Sequence, residues 1–124
     1  MSAREPKIDE PTERRLAAAM AYVRKHFRKQ PRLREIAAAA DLSPFHFHRL
    51  FHHHFGKTPK QVQTELQIAE AQRLVLAGRR LPDVARQTGF AHQSHLTYRF
   101  KMSVGQTPGR WYRAAKASAT AKAA

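Results

Sequence analysis

The sequence predicts an all-α fold of about seven helices, arranged as two small subdomains joined by a long linker helix. Three observations lead there. Apolar residues recur at helical spacings, as in Phe47, Leu50, Phe51 and Phe55. Start signals (Ser43-Pro44, Thr58-Pro59, Thr107-Pro108) and glycine stops (Gly56, Gly78, Gly105) punctuate the chain. The third observation is an internal repeat. Leu33, Ile36, Ala37 and Leu42 recur 48 residues on as Leu81, Val84, Ala85 and Phe90. Phe47, Phe51, Phe55, Gly56, Thr58 and Pro59 recur 49 residues on as Leu96, Phe100, Val104, Gly105, Thr107 and Pro108. The offset changes by one inside the turn, so the second copy has one extra residue before its second helix.

Taken in order, residues 1–11 read as a flexible, charged arm with two prolines. A first helix is expected from Pro11 or Thr12 to Phe27 or Arg28, with Leu16, Met20, Val23 and Phe27 as its apolar stripe. Pro31 breaks the chain. A short helix over Leu33–Ala40 should bury Leu33, Ile36 and Ala37, and Asp41-Leu42 makes the turn. Ser43 as N-cap and Pro44 at the first helical position then open a helix ending at Phe55. Together these make the first helix-turn-helix subdomain, 12–57.

The linker, 58–78, is expected to be helical from Pro59 to about Ala77. It shows two apolar stripes, Val62, Leu66 and Ala69 on one and Ile68, Ala71 and Val75 on another, as a bridge between two lobes requires. The second subdomain, 79–116, contains helices over Leu81–Thr88, Gln93–Met102 and Pro108–Lys116, with Gly89-Phe90 as the turn. A disordered tail is expected over 117–124.

Charge narrows the function. Of 124 residues, 23 are Lys or Arg and 9 Asp or Glu, a net charge of +14. Four of the acids lie within the first thirteen residues, so the remainder is more basic still. A compact domain that basic points to a polyanionic partner. Helix, tight turn and polar-faced helix is the grammar of helix-turn-helix DNA binding, so the partner expected is double-stranded DNA. The absence of cysteine excludes disulfides and thiolate metal sites and fits a cytoplasmic protein. No apolar run is long enough to cross a membrane, and no signal peptide is expected. Without a glycine-rich phosphate loop, a cysteine nucleophile or a nucleophile–base constellation, neither an enzyme nor a cofactor is expected.

Residues 12–116 resemble the paired helix-turn-helix DNA-binding region of the AraC/XylS transcription regulators. The resemblance rests on IAAAADLSPFHFHRLFHHHFGKTP in the first unit. In the second it rests on VARQTGF, QSHLTYRFK two residues later, and then Gly105, Thr107-Pro108 and Tyr112-Arg113. It implies two reading helices in adjacent major grooves, contact with RNA polymerase, and activation of transcription. The length is similar to that of the small single-domain MarA/SoxS-like type, which implies a monomer acting on an asymmetric site. The alternative is a sequence-tolerant, architectural nucleic-acid-binding protein driven by charge.

Helix faces nominate the contacts. With Phe47, Leu50 and Phe51 turned to the core, Phe45, His46, His48 and Arg49 are left to read bases in the first unit. Arg49 suits guanine O6/N7, and Phe45 a thymine methyl. In the second unit, Leu96 and Phe100 face inward, leaving Gln93, Ser94, Thr97 and Tyr98. Related small regulators often carry arginine where Tyr98 stands. Phosphate contacts are expected at the helix starts Thr58 and Thr107 and from Lys57, Lys60, Arg99, Lys101 and Arg110. His48 and His52 are spaced for a shared metal ion. With no cysteine to help and Glu65 the nearest downstream acid, no metal site is expected.

Overall fold

The computed structural model describes residues 6–123; residues 1–5 of the expected arm lie outside the described residues. Seven α-helices and one short 3-10 turn account for the regular structure among the described residues: α1 Glu10–His26, the turn Phe27–Lys29, α2 Leu33–Ala39, α3 Pro44–Phe55, α4 Pro59–Leu76, α5 Leu81–Thr88, α6 Gln93–Val104 and α7 Pro108–Ala123.

Each helix begins where chemistry permits. Asp9 caps α1, its Oδ1 accepting the Thr12 N–H at 2.9 Å. Hydrogen bonds from Thr12, side chain first and backbone second, hold the Asp9 carboxyl below its ordinary range. A depressed carboxyl stabilises the fold above the ordinary carboxylate range, and that contribution is lost as pH falls through the folded value. Ser43 Oγ accepts the His46 N–H at 3.3 Å ahead of Pro44. At α4, Thr58 and Gln61 form a reciprocal box: the Thr58 N–H donates to Gln61 Oε1 at 2.8 Å, and the Gln61 N–H to Thr58 Oγ1 at 3.1 Å.

The chain divides into two compact units, residues 1–66 and 67–124, with the division inside α4. The core of unit 1 gathers Leu16, Ala19 and Val23 of α1, Ile36 and Ala37 of α2, Phe47, Leu50 and Phe51 of α3, and Val62 of α4. Phe47, Phe51 and Phe55 pack in sequence with tilted rings, their centroids 5.3 and 4.6 Å apart. The core of unit 2 gathers Ile68, Ala71, Leu74 and Val75 of α4, Val84 and Ala85 of α5, Phe90, and Leu96 and Phe100 of α6. Trp111 closes it, its ring 5.5 Å from that of Phe100.

The repeat reaches further back than Leu33. Met20 and Val23 of α1 and Phe27 of the 3-10 turn that follows it stand 48 residues before Ile68, Ala71 and Val75 of α4, and both sets pack on their own unit's core or are buried. So α4 is at once the closing helix of unit 1 and the opening helix of unit 2. Its apolar residues are shared out along its length, Val62 and Leu66 to the first core and Ile68 onward to the second.

Three expectations are corrected. Leu33 is 37% exposed rather than core, because the first position of α2 sits at the opening of a crevice described below. Ala69 is exposed and belongs to neither apolar set. In place of a disordered tail, α7 continues to Ala123, while Ala124 of that expected tail lies outside the described residues. Its last turns are alanine-rich and free of glycine and proline, so intrinsic propensity extends the helix without packing.

The two turns share one device with different residues. The Leu42 N–H reaches back to Ala37 O at 3.1 Å, as the Phe90 N–H does to Ala85 O at 2.9 Å. The residue before each is left-handed, Asp41 at φ 55° and Gly89 at φ 89°.

Candidate nucleic-acid interface

In α3, burial of Phe47, Leu50 and Phe51 fixes which side faces out. Phe45, His46, His48 and Arg49 are all exposed, together with His52, His53 and His54. Phe45 is 83% exposed, which rules out a place in the core. α3 contains no acidic residue, so its outer face is aromatic, imidazole and guanidinium in character. Gly56, left-handed at φ 73°, ends the helix by donating to His52 O at 2.8 Å.

α6 is built the same way. Leu96 and Phe100 are buried, and Gln93, Ser94 and Tyr98 are exposed. Thr97 is half-buried, so less of it is presented. Tyr98 is 59% exposed, with the Arg99 guanidinium 5.8 Å from its ring centroid. Gln93 lines a recess of about 480 Å³ with Arg86 and His92, at the turn between α5 and α6. By the repeat, Tyr98 takes the place of Arg49, Ser94 that of Phe45, and Lys101 that of His52.

Of the residues expected at phosphates, Lys101, Thr107 and Arg110 are brought together around one recess of about 310 Å³ at the start of α7. Thr107 Oγ1 accepts the Arg110 N–H at 3.4 Å. The first-unit set is arranged differently. Lys57 Nζ pairs with Glu65 Oε2 at 2.9 Å, and both side chains are about half exposed. Such a pair is weak enough for a phosphate to displace the carboxylate. The N–H of Thr58 is engaged in the capping box, and Pro59 has none, so Lys60 supplies the first-turn donor which that box leaves unused.

Two cationic residues beside the reading helices escaped the sequence reading. Arg32 shares a crevice with His48, Thr58 and Lys60. Arg86 lies beside Gln93 and pairs with Asp83 at 2.6 Å. Both lie outside the reading helices, so face-by-face elimination passes over them. Among the described residues, no group of three or more histidine or acidic side chains could hold a metal ion, and no helix is long and apolar enough to cross a membrane.

Two all-α units, each presenting a polar-faced second helix from a helix-turn-helix, define a paired DNA-binding module. A helix-turn-helix domain family model matches residues 36–114. The chain belongs to this AraC-type family of DNA-binding transcription regulators. It is 35% identical over 75 residues to the HTH-type transcriptional regulator GlxA of Rhizobium meliloti, a match covering 60% of this chain and 23% of that protein. It is 29% identical over 91 residues to the probable transcriptional regulator LumQ of Photobacterium leiognathi, covering 73% and 37%. The matches therefore span well under half the length of these curated relatives. Among solved structures, it is similar to the DNA-binding domain of AdpA, a global transcriptional factor captured in complex with a target DNA. That likeness has a TM-score of 0.77 at 28% identity over 83% of this chain and 94% of the other.

Proposed function

We propose that this chain binds a specific duplex sequence and regulates transcription from it, with α3 and α6 as its two reading helices in the major groove. The observation that supports this most strongly is Phe45. A fold that buries every other phenylalanine wholly or in part leaves this one 83% exposed, beside Arg49 on a helix without acids. An aromatic ring so placed gains by packing on thymine methyls while Arg49 takes guanine O6/N7. On this reading His46 and His48 complete the first reader, and Gln93, Ser94, Thr97 and Tyr98 form the second. Lys57, Lys60, Arg99, Lys101, Thr107 and Arg110 hold the backbone, with Arg32 and Arg86 added to them. Thr58 contributes by organising the start of α4 rather than through its own N–H.

Selection from a pool of random duplexes tests the reading. One enriched sequence should bind at least ~10³-fold tighter than unrelated duplex at moderate salt. Recovery of no enriched sequence would leave the sequence-tolerant, charge-driven alternative. On the enriched site, Arg49→Ala should cost about 1–3 kcal/mol of discrimination. Gln93→Ala should cost less, because Tyr98 lacks the guanidinium that Arg49 gives the first reader. A larger loss at Gln93 would make α6 the dominant reader.

Promoter activation by contact with RNA polymerase, as a cytoplasmic monomer, extends the proposal. A reporter placed behind the enriched site should rise on expression of this chain; a fall would make it a repressor.

A further inference from the structure

We infer that unit 1 holds a binding site for a small organic anion with an apolar body, set between the start of α2, the outer face of α3 and the first turn of α4. The crevice there has a volume of about 470 Å³, within the usual range for small-molecule sites. Pro31, Leu33, Ile36 and Pro59 give it apolar surface, and Arg32, Lys60 and His48 give it positive charge and hydrogen-bond donors. No carboxylate is among its described lining residues. Glu35, the acid nearest in sequence, is occupied in accepting the Arg32 N–H at 3.1 Å.

Leu33 is the feature that calls for an occupant. Its spacing assigns it to the core, yet it lines this crevice and stays 37% exposed. An apolar body seated against Leu33 and Pro59 would remove that surface from water. A carboxylate on the same body would meet Arg32 and Lys60 through charge-assisted hydrogen bonds. Inorganic phosphate satisfies only the second half of that description, and a neutral alcohol only the first. The repeat supplies an internal control. The equivalent crevice of unit 2 is about 300 Å³ and keeps Leu81 and Pro108, with Arg79 and Arg113 alongside. There Tyr112 stands in place of Gln63 and Gly109 in place of Lys60, so that crevice is smaller and lacks the lysine.

His48, Lys60 and Arg32 also belong to the proposed DNA face, so an occupant would compete with duplex. That consequence rests on the DNA-binding reading; the site itself does not.

The test is a titration of the full, ¹⁵N-labelled chain with cyclohexanecarboxylate, cyclohexylmethanol and inorganic phosphate, followed through backbone amide shifts. The carboxylate should move Leu33, Ile36, Lys60 and Gln63 saturably, with a Kd in the millimolar range expected of so small a ligand. Amides around Leu81 and Tyr112 should stay put. The alcohol should bind about tenfold more weakly, and phosphate should give no saturable shift at Leu33. Leu33→Gln should abolish the saturable response while leaving duplex affinity within about twofold, since Leu33 has no assigned DNA contact. The inference fails if the carboxylate gives no saturable shift, if phosphate matches it, or if Leu33→Gln leaves the response unchanged. It fails equally if duplex moves Leu33 and the carboxylate does not, because the crevice would then be a seat for the DNA backbone. Where the site is real, the carboxylate should weaken binding of the enriched duplex; unchanged affinity would overturn the competition. Absence of any sequence-selective duplex binding would sink the DNA reading and leave the amide shifts standing.

Discussion

Gln67 is buried in the middle of α4, and its Nε2 donates to Thr88 O at 3.0 Å. Thr88 turns its own hydroxyl back to Val84 O at 2.7 Å. This polar pair pins the end of α5, and with it the turn that aims α6. A buried carbonyl that loses its donor retains the full desolvation penalty, about 1–3 kcal/mol. Gln67→Leu should therefore destabilise by that amount in chemical denaturation, with amide exchange accelerated first at Thr88–Phe90. Unchanged protection there would show that the bond contributes nothing to holding the turn. Polar residues of this kind are hard to place from sequence: Gln67 lies on neither apolar stripe of α4, and only the fold reveals that a carbonyl waits opposite.

At the scale of single elements, the αL position of the two turns invites comparison. Gly89 accepts φ 89° without steric cost, while Asp41 holds φ 55° against the Cβ clash of an L-residue. Asp41→Gly should stabilise the chain by about 0.5–1 kcal/mol, read as a higher urea midpoint at unchanged slope. A lower midpoint would mean that the Asp41 carboxylate makes a compensating local bond. Element boundaries were largely legible beforehand. α3 and α5 fall at the residues expected, because proline, serine and glycine mark their limits. The far end of α7 was not legible, since an alanine-rich stretch has neither a stop signal nor an apolar face to count. Leu33 was misplaced for a related reason: periodicity says which side a residue lies on, not whether a neighbour covers it. The outer face of α3 could be read by elimination, whereas Arg32 could not, lying outside the reading helix.

For the molecule as a whole, the net charge of +14 and its distribution set the terms of binding. Each phosphate neutralised releases counterions and adds ~0.9 to the log–log salt slope. Lys101, gathered with Thr107 and Arg110 around the recess at the start of α7, is the cleanest place to see one such term. Lys101→Ala should weaken enriched and unrelated duplexes alike and lower the slope by about one unit. A selective loss on the enriched duplex would instead make Lys101 a base reader, as a position equivalent to His52 could be.

The double employment of α4 has a further consequence. A helix that closes one unit and opens the next makes this architecture extensible in principle, like a repeat array in which every rung supplies the seat for the following one. α7 begins as α4 does, with Thr-Pro after a glycine-closed reading helix. Yet Ala117 and Thr120, both exposed, stand where α4 has Ile68 and Ala71. At these positions α7 thus keeps the helix and omits the adhesive, so it presents no uncovered apolar stripe of the kind that promotes self-association.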